Sequence, residues 1–285
     1  TPTGSHNGTI RQMIEGQDVQ DLAFGTSSAK SVTLSFYAKS ASSNNNHQYG
    51  VQLRCRDGST TQYVNQAFTV TSSWQRFTMT FVGNTGLTIR NDNGNGFEIC
   101  FHLASGPDDI VSAKSTWTTS GAFQTVTGQS NFMDNTSNEF YLTGVQLEVG
   151  DTATSFEHRS FTEELTRCYR YYRRFGANPV LPTPGPYNRL SIGYSPSSSD
   201  VRYPFQLDPP MRTNPVNSNF SKSGNFSIQP GSIGSYSLAV DDNASSANMM
   251  VLIMGSTSVS TGSGSAVSFH ANNDTSAFVE ISAEF

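Results

Sequence analysis

Aromatic side chains are the residues of this sequence best suited to hold a ligand, because their rings supply large contact areas with few rotatable bonds. The predicted contacts with a glycan or a protein partner are Trp117, Tyr49, Tyr63, Tyr194 and Tyr203. Trp117 belongs to this set because it lies in the polar stretch 112–121. Trp74 instead opens a predicted strand after a turn, which favours the core. For Tyr194 and Tyr203, an exposed surface and a groove between subunits both remain open.

Paired carboxylates are the residues that could hydrolyse a glycosidic bond, as general acid and as nucleophile or base. The pairs Asp108-Asp109 and Asp241-Asp242 lie in turn-like sequence, and neighbouring strand residues point to opposite faces of a sheet. Ser263 lies between two glycines of a low-complexity stretch, not in the strand–turn–helix context of a catalytic serine. The sequence therefore predicts that the protein is not an enzyme and has no catalytic residue.

Metal and cofactor signals are weak. The segment 92–96, DNGNG, lacks the spacing and the terminal glutamate of an EF-hand loop. Cys55, Cys100 and Cys168 have no metal-ligand spacing, and we predict that all three are reduced and buried. We expect no cofactor and no metal-ligating set, while a structural Ca²⁺ elsewhere in a β-domain stays open.

The composition is that of a β-rich protein with an uncharged surface. Charged residues make up 14% of the 285 residues, against about 25% in an ordinary soluble domain. The net charge of −5 gives no general attraction to nucleic acid. No apolar run reaches the roughly 18 residues that a membrane-spanning helix needs, so we predict neither a nucleic-acid partner nor membrane insertion.

The elements that must position these residues are mainly β-strands. In segment 30–40, Val32, Leu34, Phe36 and Ala38 alternate with polar residues, which is typical of a strand with one buried face. Strands at short spacing without intervening helices favour a two-sheet jelly roll. The predicted strands of this first domain are 10–15, 19–24, 30–40, 47–56, 61–70, 74–82, 96–104, 121–126 and 139–149.

One amphipathic helix follows the last of these strands. Ser160 and Glu163 have the spacing of a capping box, and Gly176 is the predicted stop. The apolar stripe of Phe161, Leu165, Cys168, Tyr169 and Tyr172 has helical spacing and requires a partner surface. The residues predicted to form oligomer or interdomain contacts are Phe161, Leu165, Tyr169, Tyr172, Arg170 and Arg173.

A smaller C-terminal β-domain is predicted after a proline-rich connection. The domain boundaries are 1–155 for the jelly roll, 156–188 for the helix and the connection, and 189–285 for the last domain. Residues 249–254 form a continuous apolar strand, which indicates burial on both faces, and a neighbouring subunit is the candidate cover for the second face. The strands predicted here are 189–195, 200–206, 225–229, 235–240, 248–254, 265–271 and 277–284.

The sequence around the helix resembles a segment of phage tail-fibre and related virion proteins, especially those of marine and cyanobacterial phages. Those proteins carry a carbohydrate-binding-module-like jelly roll, a helix of the type ELxxCQRYY and a C-terminal β-domain. Tyr169 departs from the pattern, which has glutamine at this position. The matching residues are Val145-Gln146-Leu147-Glu148, Gly150, Ala153-Thr154, Phe156-Glu157, Arg159, Glu164-Leu165 and Cys168 to Tyr172, with residues 29–36, Trp74, 210–215 and 281–285 outside the segment.

The resemblance implies a function that the residues alone do not. It implies a non-catalytic tail-fibre or receptor-binding component of a virion, which forms a homotrimer, contacts other virion proteins and recognises a host-surface glycan. Two alternatives remain: a capsid or tail component that uses the same fold only for assembly, and a depolymerase that cleaves surface polysaccharide. The second is disfavoured because the sequence has neither the repeats of a β-helix nor a paired carboxylate motif.

Overall fold

The computed structural model describes residues 2–57, 60–120, 122–177, 185, 188–229, 236–256 and 263–284. These residues form two compact units, and the chain passes from the first to the second between His158 and Arg159. Both units are built from antiparallel sheets, and the described residues contain a single α-helix. The prediction of an all-β protein with a β-sandwich and one helix is confirmed.

The first unit is a sandwich of two sheets. The five-stranded sheet has the order β1-β6-β3-β4-β8, and the three-stranded sheet has the order β10-β2-β5, while β7 and β9 form a short parallel pair. The strands are β1 (Asn7–Glu15), β2 (Val32–Ser40), β3 (Gln48–Cys55), β4 (Gln62–Thr69), β5 (Gln75–Phe81), β6 (Asn95–Ser105), β7 (Ile110–Val111), β8 (Lys114–Thr119), β9 (Thr125–Val126) and β10 (Phe140–Val149).

The core of this unit lies between the two sheets. Phe36 of β2 is fully buried, with the rings of Phe68, Phe77 and Phe101 centred 5.0–5.2 Å away. Val32, Leu34, Phe36 and Ala38 all belong to the core, as the alternation predicts, but the other face of β2 is not fully exposed, since Thr33 and Ser35 are buried as well. The strand predicted at 19–24 is wrong: residues Gly16–Leu22 form 3₁₀ turns, which bury apolar side chains without joining a sheet.

The outer face of the five-stranded sheet buries charged groups. Glu98 has no exposed surface and accepts a hydrogen bond of 2.7 Å from Nη1 of Arg54, which is itself buried. Arg11 and Arg56 reach the same carboxylate at 3.7 and 3.5 Å. The ring of Phe123 lies over the Arg54 guanidinium, 4.0 Å from its central carbon. Around Arg54 and Glu98, this face is therefore closed by the chain's own residues.

The second unit contains the helix and the remaining strands. Its six-stranded sheet has the order β15-β18-β12-β13-β17-β16, and its three-stranded sheet has the order β11-β19-β14. Buried side chains from both sheets, Phe269 and Val279 among them, form one core. The elements are α1 (Phe161–Cys168), β11 (Tyr172–Gly176), β12 (Arg189–Tyr194), β13 (Asp200–Gln206), β14 (Phe220–Ser223), β15 (Phe226–Gln229), β16 (Tyr236–Val240), β17 (Met249–Ser256), β18 (Ala266–Ala271) and β19 (Phe278–Ser282).

The helix begins where predicted and ends earlier. Ser160 accepts a hydrogen bond of 3.2 Å from the Glu163 amide, which confirms the N-cap. The chain leaves the helix after Cys168, and Tyr172 pairs with Ser282 of β19 as part of a strand. The helical stripe was wrong at Tyr172 because β19 offers strand hydrogen bonds that local spacing does not reveal. The proline-rich connection lies almost entirely outside the described residues.

The cysteine prediction is confirmed at two positions and wrong at one. Cys55 and Cys100 are free and buried, whereas Cys168 is free and exposed at the end of the helix. Burial raises the pKa of the Cys100 thiol to about 12. Both buried thiols are therefore protonated at neutral pH, and their role is packing rather than reactivity.

The apolar strand predicted at 248–254 is β17, an interior strand of the six-stranded sheet. Met250, Leu252 and Met254 point into the core and are fully buried. On the other face, Val251 is nearly buried while Met249 and Ile253 are half-exposed. One face is thus filled by the unit itself, and the covering of the second face by another subunit stays a prediction.

Candidate functional site

Exposed aromatic residues gather on the outer face of the three-stranded sheet of the first unit. Tyr37, Trp74 and Tyr141 are 37%, 48% and 40% exposed. Aromatic rings supply contact area at low entropic cost, so three partly exposed rings on one sheet face form a candidate contact surface. We call this surface the aromatic face, and it includes the polar residues between the rings.

The strand register arranges the aromatic face in two rows. In the first row, Tyr141 lies opposite Lys39, and the Lys39 ammonium is 4.7 Å from the centre of the Tyr141 ring and 5.4 Å from that of Trp74. The two rings are themselves 6.4 Å apart and tilted by 65°. In the second row, Tyr37 lies between Thr143 on one side and Arg76 on the other. Residues two apart on a strand share a face, so the rows are neighbours.

A bulge in β10 opens space beside the second row. The register between β10 and β2 shifts between Thr143 and Gln146, and Gly144 has a φ of +58°. A Cβ atom on Gly144 would lie 3.0 Å from the Tyr37 ring, so a side chain would crowd this ring. Bulges of this kind turn a strand near functional sites. Glycine here permits both the backbone conformation and the close approach to Tyr37.

Residues 151–158, which we call the clasp, fold back over the same sheet. Thr154 is held by Glu148, whose carboxylate accepts from its hydroxyl at 2.6 Å and from its amide at 3.1 Å. Gln146 accepts from the Glu157 amide at 2.8 Å and donates to the Thr154 hydroxyl at 3.2 Å. Arg76 adds a hydrogen bond from Nη2 to the Thr154 carbonyl. The clasp is thus fastened by the polar residues of the segment that carries the resemblance.

The clasp and the second row border a half-open cavity of about 420 Å³. This volume is in the range of small-molecule sites. The Phe156 and His158 rings meet edge to face at 5.0 Å and form the wall opposite the sheet. The lining residues are Tyr37, Arg76, Thr143, Gly144, Ser155, Phe156 and His158.

Several polar groups of the cavity have no hydrogen-bond partner among the described residues. They are the Tyr37 and Thr143 hydroxyls, both ring nitrogens of His158, and Nε and Nη1 of Arg76. The remaining nitrogen of Arg76, Nη2, donates to the Thr154 carbonyl and, at 3.3 Å, to the Ser35 hydroxyl. Polar groups that converge on a partly apolar cavity with unused hydrogen-bonding capacity are suited to orient a polar ligand.

Two carboxylates near the aromatic face, Glu148 and Glu139, accept hydrogen bonds from neighbouring side chains of the first unit. Burial raises the pKa of Glu148, but the hydrogen bonds from Thr154 and Gln146 and the charge of Arg76 outweigh this effect and lower it overall. Glu139 accepts a hydrogen bond of 2.6 Å from the Tyr141 hydroxyl, which raises the pKa of that hydroxyl. Neither carboxylate lines the cavity, so the ionisable lining groups are Arg76, His158 and the Tyr37 phenol.

The aromatic residues predicted from sequence to contact a ligand lie elsewhere; the three buried tyrosines are wrong as surface contacts, and a contact at the half-buried Trp117 stays a prediction. Tyr49, Tyr63 and Tyr203 are buried, since they point inwards or lie beneath other segments of the chain. Trp117 lies in β8, packs against Phe24 at 5.5 Å and donates to the Val82 carbonyl at 2.7 Å. Its polar surroundings in the sequence concealed this packing.

The predictions for Trp74 and Tyr194 have different outcomes. Trp74 is exposed on the aromatic face, so its assignment to the core is wrong. Tyr194 is 50% exposed, but it belongs to the six-stranded sheet of the second unit, where Arg202 is its strand neighbour. The structure therefore leaves Tyr194 available for a contact, whereas Tyr203, on the adjacent strand β13, is buried.

The helix residues predicted to make oligomer or interdomain contacts differ in their surroundings. Arg173 is buried, and it donates to the carbonyls of Tyr169 at 3.0 Å and Pro209 at 2.8 Å. Tyr172 donates to Glu280, while Leu165, Tyr169 and Arg170 are half-buried. Phe161 is 63% exposed at the start of the helix. Arg173 and Tyr172 thus hold the second unit together, and the oligomer contact of the stripe stays a prediction.

The aspartate pairs considered for catalysis are not among the residues that line the cavity. Asp108 and Asp109 are in a 3₁₀ turn, and Asp241 forms an ion pair of 3.2 Å with Arg202. Within the described ranges, no cluster of three or more metal-ligating side chains exists. None of the helices there is long and apolar enough to cross a membrane.

No protein-family model, no curated protein and no solved structure matches the chain.

Proposed function

We propose that this protein recognises a host-surface glycan without cleaving it, as a tail-fibre or other receptor-binding component of a phage virion. The observation that carries the proposal is the aromatic face, where Tyr37, Trp74 and Tyr141 are exposed beside a cavity with unused hydrogen-bonding groups. The virion location rests on the resemblance of the segment 145–172, and the binding mode rests on the face itself.

A sugar suits this face for two reasons. Its C–H surfaces pack on aromatic rings, which supply contact area at low entropic cost. Its hydroxyls both donate and accept, and the cavity offers hydroxyls at Tyr37 and Thr143 together with the Arg76 and His158 nitrogens. A cavity of about 420 Å³ accommodates a single sugar ring, while the row of Lys39, Trp74 and Tyr141 extends the contact beyond it.

The chemistry of the cavity favours binding over hydrolysis. Most glycosidases need two carboxyl groups on either side of the scissile bond. The lining residues include no aspartate or glutamate, and Glu148 is occupied by Thr154. We therefore assign the site to recognition.

Several copies of a shallow site would give the binding strength that one copy lacks. Linked sites raise the overall affinity because the later contacts are made within one complex. The proposed homotrimer would supply three sites, with contacts to other virion proteins. Exposed apolar side chains at Phe161, Ile192 and Tyr194 support self-association of the second unit, at 63%, 66% and 50% exposure.

The test is competition for adsorption by purified, correctly folded protein on susceptible host cells. We expect saturable binding that blocks adsorption of intact phage, and we expect Trp74→Ala or Tyr37→Ala to weaken it about tenfold, the effect of a moderate interface hot spot. Ile10→Ala is the control, because it removes a large side chain that is 45% exposed on β1, an edge strand of the five-stranded sheet. An equal loss with Ile10→Ala would remove the support for the aromatic face, and no binding by the wild type would refute glycan recognition.

A purely structural role in the capsid or tail is the second candidate. The exposed Ile192, which lies on the outer face of an interior strand of the six-stranded sheet, is the observation that supports it, because a neighbouring virion protein would cover this side chain in an assembly. Ile192→Glu would then abolish oligomerisation, as measured by light scattering. If neither the wild type nor this variant binds host cells, the structural role would replace glycan recognition.

A further inference from the structure

The charge of the cavity narrows the class of sugar that it would take. Arg76 is the one permanently charged side chain in the lining, and its Nε and Nη1 have no partner among the described residues. His158 adds two ring nitrogens beside it, and Lys39 lies in the adjacent row. We propose that the preferred ligand is an anionic saccharide, whose carboxylate or phosphate accepts a hydrogen bond from Arg76; the inference rests on glycan binding at the aromatic face.

The nearby carboxylates do not cancel this preference. Glu148 is the acid whose charge interacts with Arg76, but its oxygens accept from the hydroxyl and the amide of Thr154. Glu139 is engaged by the Tyr141 hydroxyl in the other row. An anionic group in the cavity would therefore meet the unused N–H groups of Arg76 and no lining carboxylate.

Arg76 also has a structural role that the test must separate from ligand binding. Its Nη2 donates to the Thr154 carbonyl and the Ser35 hydroxyl and so helps to hold the clasp. Because this nitrogen is occupied, the ligand would meet Nε and Nη1 rather than a complete two-pronged edge of the guanidinium. Hydrogen bonds to charged groups are stronger than neutral ones. For an exposed arginine, we expect an anionic sugar to bind about fivefold more tightly than its neutral counterpart.

The experiment is an NMR titration of the full 285-residue chain with matched sugars. Each of glucose, galactose and mannose is compared with its uronic acid and its 6-phosphate, as methyl glycosides. We expect at least one acidic member to bind about fivefold more tightly than its neutral partner, with the difference shrinking as salt is raised. The uronic-acid and phosphate arms distinguish the two sources of negative charge.

Variants at two positions assign the preference to the cavity. Arg76→Gln should abolish the difference between acidic and neutral sugars while the neutral sugar still binds, with some loss of affinity, and Arg76→Lys should retain part of the difference because the charge remains. Lys114→Gln removes a cation from β8 of the five-stranded sheet, which does not line the cavity, so the preference should persist.

The outcomes separate the two proposals. Equal binding of acidic and neutral sugars by the wild type would overturn the anionic inference and leave glycan recognition standing. An equal loss of both sugars in Arg76→Gln would overturn it as well, because Arg76 would then act only through the clasp. If no sugar binds to the wild type while the whole protein still adsorbs to host cells, the aromatic face is not the receptor site and the inference falls with it.

Discussion

The two tryptophans provide the sharpest test of the site, because their roles in the structure are the reverse of those that their local sequence favours. The chain has two tryptophans, so each Trp→Ala variant leaves the other as the sole indole reporter. Trp74 contacts Lys39 and Tyr141 at the surface, and Trp117 packs against Phe24 and Phe97 of the sandwich core. We expect Trp74→Ala to impair binding and Trp117→Ala to impair folding.

The magnitudes follow from the contacts that each ring makes. Removing Trp74 from an exposed position forfeits one cation–π contact and one ring contact with Tyr141, so the free energy of unfolding should fall by about 1 kcal/mol. Truncation of a fully buried tryptophan costs about 3–5 kcal/mol, and the half-buried Trp117 should cost about 2–3 kcal/mol. The Trp117 hydrogen bond to Val82 adds little, because that carbonyl lies at an exposed residue where water can replace the donor.

The assay combines urea unfolding with the emission of the remaining indole. Unfolding of the first unit should begin at a lower urea concentration in Trp117→Ala than in Trp74→Ala, while the indole of Trp74→Ala should emit at a shorter wavelength because Trp117 is less exposed. Glycan or host-cell binding should be weakened more by Trp74→Ala than by Trp117→Ala. A larger loss of stability in Trp74→Ala than in Trp117→Ala would refute the reasoning and return Trp74 to the core.

Three further predictions concern hydrogen bonds that the structure assigns to single side chains. Glu148→Gln should destabilise the clasp by about 1–2 kcal/mol, after allowance for solvent screening of its charge-assisted bonds to Thr154. Because folding lowers the pKa of Glu148, its contribution to the stability of the clasp is present above the ordinary pKa of 4.5 and is lost as the pH falls through the folded pKa. In this pH range, hydrogen exchange of the clasp amides should accelerate in the wild type and not in the variant. Glu98→Gln should cost about 3–5 kcal/mol in urea unfolding, because buried Arg54 loses its counter-ion; an unchanged midpoint would contradict the buried ion pair. Ser160→Ala should lower helix protection by about 1 kcal/mol, with Ser160→Asp as the control that keeps a capping oxygen.

The segment that carries the resemblance has a physical role in this structure. Gln146 and Glu148 point away from the core on β10, and Thr154 and Glu157 return across the sheet to meet them. This pairing closes the clasp and places Phe156 and His158 against Tyr37. The motif therefore builds one wall of the cavity, and the residues available for ligand contact are its neighbours on β2 and β5.

Local sequence determined the class of the fold and much of its detail. The alternation in 30–40 identified both the buried face of β2 and its outer residues, Tyr37 and Lys39, because the side chains of a strand alternate regardless of what packs on them. The helix start at Ser160 was equally local, since a cap depends on residues three apart. The helix end was not local, because residues 172–176 pair with β19 more than a hundred residues later.

The composition of the site was decided by tertiary structure. Tyr37, Arg76 and Thr143 come from three strands, and only the pairing of β2 with β5 and β10 places them side by side. The exposure of Trp74 and the burial of Trp117 depend on which sheet face each ring occupies and on what covers it. Sequence determines the side-chain period along a strand, whereas the neighbours across a sheet and the segments that close over it follow from contacts distant in the chain.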